Sequence, residues 1–287
     1  EHRGQGGVTE ANAVSSEAGG VTEACRVKLA RVRALLVDLE GTVRFGGTPI
    51  PGAAEALNRL RAAGYSLCFT TNIDSMTAKD ICRGLTDIGV QADPAEIFTP
   101  VAALRHFMAR NPERSWLFLL SKDVQSGFAA LQGAAQAADF VVVGDFRDEF
   151  SYERINSAYR QLMNGARLVA LQPQPFFMGP DGYYLDTGAI VHMLEWASGK
   201  TAIVLGKPSP DYYLTALEGL GLRPGEALAI GDDVGTDIKG AAAAGCPSVL
   251  VRTGKFDAGK VAASAAQPDV IVNSLAEVPE VLAACRM

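Results

Sequence analysis

Short apolar runs that stop abruptly at polar or acidic residues recur along this chain, separated by stretches whose apolar residues fall at helical spacing. Leu35-Leu36-Val37 gives way to Asp38-Leu39-Glu40-Gly41-Thr42, and Tyr65 to Phe69 gives way to Thr70-Thr71-Asn72. Thr201 to Leu205 ends in Gly206-Lys207-Pro208, and Ala227 to Ile230 ends in Gly231-Asp232-Asp233. Short continuous apolar runs are the pattern of strands covered on both faces. Their alternation with helical segments from Arg33 onward predicts an α/β fold with a doubly wound parallel sheet. Helices are expected from Pro51-Gly52 through Ala63, from Ser75 through Ile88 with Ser75 as cap and Gly89 as stop, and from Val101 to Arg110. Ile97-Phe98, Ser248 to Val251 and Asp269 to Val272 complete the expected strands. In such a sheet the ligand crevice lies beyond the carboxyl ends of the strands. The carboxylates, hydroxyls and lysine that close these runs are therefore delivered to one edge.

A second series of alternating runs lies between Pro112 and Asp186: Trp116 to Leu120, a helix-like Val124 to Gln132, Phe140 to Val143, Tyr152 to Asn164 and Leu168 to Leu171, with Gly179-Pro180-Asp181-Gly182 as a hairpin turn near the exit. The chain is read as a core of residues 28–111 and 187–287 with a smaller α/β domain, 112–186, inserted between Thr71 and Lys207 where it can close over the acidic edge. Residues 1–27 are rich in Gly, Ser, Ala and Glu without hydrophobic periodicity, and are expected to form a flexible tail.

Composition narrows the function classes. The chain has 287 residues, a length that suits two domains, and a 48% hydrophobic share that supports a real core. A net charge of -6 with scattered basic residues argues against a nucleic-acid partner, since a phosphate backbone demands concentrated positive charge. No stretch approaches the roughly 18 uninterrupted apolar residues of a membrane span, so no membrane partner is expected. Cys25, Cys68, Cys82, Cys246 and Cys285 are odd in number and lack metal-ligand spacing. They read as reduced core thiols of a cytoplasmic protein.

The chemistry follows from the strand ends. Asp38 and Asp232 on neighbouring ends would make a hard oxygen site suited to magnesium, Mg2+. A metal that neutralises a phosphate's charge lets one aspartate attack phosphorus and form an acyl phosphate. Thr71 and the ammonium of Lys207 would hold the remaining phosphate oxygens and offset transition-state charge. Thr71-Asn72 can also cap the next helix, a role compatible with phosphate binding because a helix N-terminus attracts anions.

Taken in order, these four segments resemble the haloacid dehalogenase superfamily of phosphohydrolases, over essentially Arg33 to the C-terminus. The resemblance implies a Rossmann-like core, Asp38 as nucleophile and metal ligand, and Glu40 as a metal ligand through its backbone carbonyl. It also implies Asp232 as the other carboxylate ligand, with Asp233 and Asp237 binding metal waters or orienting Lys207. The long interval from Thr71 to Lys207 matches the branch with the larger α/β cap, subclass IIA. Within it, Phe69-Thr70-Thr71-Asn72, Gly144 followed by Phe150-Ser151-Tyr152, Gly206-Lys207-Pro208 and the Asp232 segment look like the branch of phosphoglycolate, pyridoxal phosphate and nucleotide phosphatases, and most resemble its phospholysine phosphohistidine inorganic pyrophosphate phosphatase-like and HAD-like hydrolase domain-containing members. Pairing of two copies through the cap is implied as well. The family pattern has a second aspartate as general acid and base where this chain has Glu40. An extra methylene moves that carboxyl by about one bond length, and displacements near 1 Å can cost on the order of 100-fold in rate. Reduced acid-base help suits a small phosphorylated substrate with a good leaving group, such as pyrophosphate or a phosphoamidate.

Other readings stand beside these. Asp233 and Asp237 also fit helix-start acids. Gln172 and Gln174 follow a cap strand where the branch places substrate contacts, though loop polarity explains them equally. His2, His106 and His192 stand apart from the motifs, and Tyr152 reads as helix-start packing. A receiver-type signalling module uses a similar acid, threonine and lysine set, but is about half as long and lacks a cap. A former enzyme kept as a phospholigand-binding or scaffolding protein is the alternative that Glu40 suggests.

Overall fold

The computed structural model of the protein describes residues 22–128, 137–179 and 181–286. Its larger sheet has six parallel strands in the spatial order Val270–Val272, Ser248–Val251, Ala227–Gly231, Ala34–Asp38, Ser66–Thr70, Ile97–Phe98. From Ala34–Asp38 the chain winds outward to one side and later returns to the other. That strand is thus the switch point at which an open parallel sheet forms a crevice. Register aligns Val37 with Ile230 and Asp38 with Thr70, so Thr71 and Asp232 emerge one residue beyond the level of Asp38.

Strand periodicity sorts the core. Leu35, Val37, Leu228 and Ile230 enter one buried cluster, while Ala34, Leu36, Ala227 and Ala229 enter the opposite one. The first is closed by the helices Ala53–Ala62, Ala78–Asp87 and Val278–Cys285. The second is closed by Pro100–Ala109 and Pro210–Leu220, and it runs on without a break into Trp116, Phe118, Phe140, Val142, Val169 and Leu171 of a smaller sheet. That smaller sheet, also parallel, has the order Ile203–Val204, Arg167–Ala170, Phe140–Val143, Trp116–Leu119. Its other face carries the helices Tyr152–Met163 and Thr187–Ser198. An antiparallel hairpin, Phe176–Gly179 with Gly182–Leu185, leads from it.

The α/β fold and the two parallel sheets agree with the sequence reading, and several particulars differ. The run before Lys207 was expected among the strands of the core, 187–287, yet Ile203–Val204 pairs with Val169 and Ala170 of the smaller sheet. With Thr187–Ser198 also packed there, the return to the larger sheet falls after 204 rather than at 187. An apolar run signals a covered strand but not which sheet covers it. Within the expected tail, Glu23–Leu29 is a helix capped by Thr22, and it buries Cys25 and Leu29. The helix expected to start at Ser75 begins at Ala78, because Thr77 accepts from the backbone N–H of Asp80 and takes the cap. Of the helix expected from Val124 to Gln132, Lys122–Ser126 is described; residues 129–136 and Pro180 lie outside the described residues, as do His2 and residues 1–21. All five cysteines are buried and unpaired. Among the described residues, no helix is long and apolar enough to cross a membrane.

Candidate active site

The fully buried strand Ala34–Asp38 ends with Asp38 only 6% exposed. The next strand over ends at Gly231, where an added Cβ would lie 2.2 Å from Asp237 Cγ, so only glycine leaves room for that carboxylate. A wide π-type turn, Val234–Ile238, follows, and it swings Asp237 back under the strand end. Oxygens of Asp38, Asp232 and Asp237 thereby come within 4.8 Å of one another, all three side chains buried.

Lys207 is the cation of this group. Its Nζ lies 2.5 Å from Asp38 Oδ1 and 2.6 Å from Asp237 Oδ1, and it is 2% exposed. Burial works against its charge, but the Asp237 and Asp38 carboxylates outweigh that and hold the ammonium well above its ordinary range. Three carboxylates facing one ammonium still leave an excess of negative charge. Burial first, then Asp38 and Asp237, push Asp232 up to about 8. Burial likewise raises Asp237 to about 6 against the pull of Lys207. Asp38 is raised by burial, with Lys207 opposing. A compact set of hard oxygen donors with uncompensated charge matches a small divalent cation.

The supporting residues differ in how well the sequence announced them. Thr71 is buried; its N–H meets Tyr212 Oη at 3.0 Å, and its Oγ1 accepts from Ile73 N–H at 3.1 Å. Asn72 spends both ends of its amide on Lys207, donating to the carbonyl at 3.0 Å and accepting from the N–H at 2.9 Å. It therefore positions the lysine's backbone. Asp233 caps the π-type turn by accepting from Gly235 N–H at 2.7 Å and stands outside the carboxylate group. Glu40 stands outside it too: its Oε1 accepts from Arg44 Nε at 2.6 Å, and its side chain is 40% exposed. Gln172 is buried, with Oε1 accepting from Gln174 N–H at 2.6 Å. His106 stacks at a tilt near Phe98, and His192 is exposed on its helix.

Two contributors escaped the sequence reading. Tyr212 and Tyr213, fully buried at the start of the helix after Lys207, donate to the Thr71 carbonyl at 2.8 Å and the Asp237 carbonyl at 3.2 Å. Adjacent tyrosines beginning four residues after Pro208 were the available signal. The loop after Ser248–Val251 is the other. Gly254, at φ +57°, and Gly41, at φ +90°, flank the Asp232 carboxylate so closely that an added Cβ would fall 2.0 Å and 1.9 Å from its Oδ2. Lys255 N–H then donates to that same oxygen at 2.6 Å. Thr-Gly-Lys after an apolar run was the signal there.

Comparison with known proteins points the same way. The family described as haloacid dehalogenase-like hydrolase matches residues 35–133, and the one described as HAD-hydrolase-like matches 204–278. Haloacid dehalogenase-like hydrolase domain-containing protein 2 of Homo sapiens is 37% identical over 82% of this chain and 88% of its own. Phospholysine phosphohistidine inorganic pyrophosphate phosphatase of Xenopus laevis is 35% identical over 88% of this chain and 95% of its own. The crystal structure of a glycerol phosphate phosphatase from Mycobacterium tuberculosis in complex with magnesium superposes with a TM-score of 0.80 at 27% identity, covering 88% of this chain and 79% of that one.

Proposed function

The chain belongs to the haloacid dehalogenase-like hydrolases and is a phosphatase of that family; from that premise we propose that it is a magnesium-dependent phosphohydrolase acting through an aspartyl-phosphate at Asp38. The observation that carries the reading is the convergence of the Asp38, Asp232 and Asp237 oxygens within 4.8 Å, with Lys207 Nζ bridging two of them.

Asp38 and Asp232 would hold the metal, with Asp237 beside them and the Glu40 carbonyl as the further ligand the family resemblance implies. Bound there, magnesium would offset the phosphoryl charge that otherwise repels a carboxylate nucleophile. An Asp38 oxygen attacks phosphorus, and the bond from phosphorus to the leaving group breaks with its electron pair on the departing atom. Water then attacks the phosphorus of the acyl phosphate, freeing the carboxylate and inorganic phosphate. Lys207, kept cationic by its two carboxylates, fixes the Asp38 rotamer and offsets charge on the transferred group. Thr71 offers its hydroxyl to a phosphate oxygen, and Asn72 secures the lysine's backbone.

The ion pair between Glu40 and Arg44 supports weak acid-base help and hence a leaving group that departs readily. Pyrophosphate or a phosphoamidate meets that requirement, whereas an alkyl phosphate ester of a small metabolite needs more acid help than Glu40 supplies in its pair with Arg44. The test is release of inorganic phosphate from such compounds with magnesium, its loss on chelation, and its loss in Asp38→Asn. Full turnover by a folded Asp38→Asn protein would defeat the reading. The same ion pair favours one second reading, a phospholigand-binding protein, which binding of inorganic phosphate without turnover would select.

A further inference from the structure

Asp74 lies in the loop that carries Thr71 and Asn72, and it is 3% exposed. One oxygen of its carboxyl, Oδ2, accepts from the backbone N–H of Asp145 at 3.2 Å and from Thr187 Oγ1 at 2.8 Å. Asp145 follows the smaller-sheet strand Phe140–Val143, and Thr187 opens the helix Thr187–Ser198 behind the hairpin. A single atom of the larger domain therefore joins two segments of the smaller one that are far apart in sequence. Both segments are themselves held. Arg147 pairs with Asp145, its Nε 2.8 Å from Oδ1, and lies over the Phe177 ring at 4.5 Å. Asp186 accepts from Thr187 N–H at 2.8 Å and takes a side-chain hydrogen bond from Gln172.

The loop is fastened twice, since Asn72 brackets the Lys207 backbone while Asp74 ties the following residues to the smaller sheet. We propose that Asp74 is a positioning residue, a latch that fixes the Thr71 loop against the smaller domain and so sets how the site engages the part of a substrate beyond its phosphoryl group. This rests on the phosphohydrolase reading. Burial is consistent with it: desolvation first, and then Asp186, push the Asp74 carboxyl up to about 8, with Asp145 adding to the rise and Arg147 facing the same group. A neutral carboxyl can sit beside two other acids where an ionised one would be repelled.

Because both donors meet one oxygen, Asp74→Asn can place its amide oxygen there and keep both bonds, whereas Asp74→Ala loses them. Kinetics on p-nitrophenyl phosphate with magnesium and amide hydrogen exchange at Asp145, both on the full chain, test the latch. The Ala variant is expected to lower kcat/KM by on the order of 10- to 100-fold, mainly through KM. Its Asp145 amide should exchange about 10-fold faster, while Asn stays within about 3-fold of wild type in both measurements. If the Ala protein does not fold, Thr187→Val, which keeps the shape and deletes one donor, should raise KM without matching loss of kcat. Unchanged exchange and KM in Ala (or in Thr187→Val, where that variant stands in), or an Asn variant as impaired as Ala, overturns the latch. A wild type that turns over no phosphate compound would instead sink the phosphohydrolase reading, and the exchange contrast alone would then decide the latch.

Discussion

Two groups of buried carboxylates flank the Thr71 loop, and they handle the same electrostatic problem differently. Asp38, Asp232 and Asp237 enclose an ammonium, with Lys207 Nζ within 2.6 Å of two of them. Asp74, Asp186 and Asp145 gather where the two sheets meet, and the nearest cation, Arg147, bonds only Asp145. Asp74 depends on a hydroxyl and a backbone N–H instead. The first group keeps an internal cation and unspent negative charge, which is an arrangement for holding a metal and a phosphoryl group. In the second, Asp74 meets only a hydroxyl and a backbone N–H while Arg147 answers Asp145 alone, which is an arrangement for joining segments. Carboxylate count alone does not separate a reactive site from a structural one; what neutralises the carboxylates does.

The sharpest way to break the contrast is to remove the carboxylate proposed as nucleophile. Asp38→Asn should lower kcat by at least about 1000-fold, as loss of a nucleophile does in covalent catalysis, measured as phosphate release with melting temperature monitored in parallel. Lys207→Met comes next. It leaves Asp38 and Asp237 buried without their cation, a change that costs about 3–5 kcal/mol. Chemical denaturation should show that loss, and magnesium, if Asp38 and Asp232 hold it, should restore part of it by binding only the folded form. A Lys207→Met protein as stable as wild type would mean that the ammonium does not compensate these acids.

Asp74 gives a smaller effect with a definite sign. Its folded pKa of about 8 exceeds the ordinary value near 3.9, so the folded state holds the proton more tightly than the unfolded one. Its contribution to stability therefore falls as pH rises from about 4 to about 8 and is level above that. Asp186, Asp145 and Arg147 are the charged groups that face it. Asp74→Asn has no proton to lose. The melting temperature of the variant minus that of wild type should become more positive by a few degrees between pH 5 and pH 8.5. A difference that stays constant, or turns negative, would show that Asp74 does not carry a buried proton.

What could be read beforehand follows the same division. Asp38, Thr71 and Asp232 were legible because a parallel strand's end projects its next residues into a predictable crevice. The sheet to which 201–205 belongs was not, since both sheets are covered and demand the same apolar run. Asp237 was legible as an acid near the site, but the π-type turn that brings it to Lys207 was not, because Val234–Ile238 carries no local pattern that separates a π-type turn from an ordinary helical one. Asp74 was hidden by its neighbours: in Ile73-Asp74-Ser75 it looks like an ordinary polar residue before a helix. Its partners Asp145 and Thr187 arrive from the smaller sheet and the helix packed on it, so no local pattern announces them. Tyr212 and Gly254 differ: their partners Thr71 and Asp232 follow strands of the larger sheet, and the paired tyrosines and the Thr-Gly-Lys turn were local signals that went unread.

Glu40 should give the smallest effect, and it tests where the reactive group ends. Its carboxylate bonds Arg44 on the short hairpin Arg44–Phe45 with Thr48–Pro49 and is 40% exposed. Arg44 is the more buried partner of this pair, and a pair open to solvent on its acidic side contributes only on the order of 1 kcal/mol. Its oxygens are outside the group formed by Asp38, Asp232 and Asp237. Glu40→Gln keeps the length and one acceptor for Arg44, so kcat on p-nitrophenyl phosphate should change by less than about 5-fold, whereas a positioned general acid or base contributes about 100-fold or more. A larger loss confined to substrates with poor leaving groups would show that Glu40 leaves Arg44 during turnover and donates a proton. The border of the reactive group would then have to be extended from the strand end onto the hairpin.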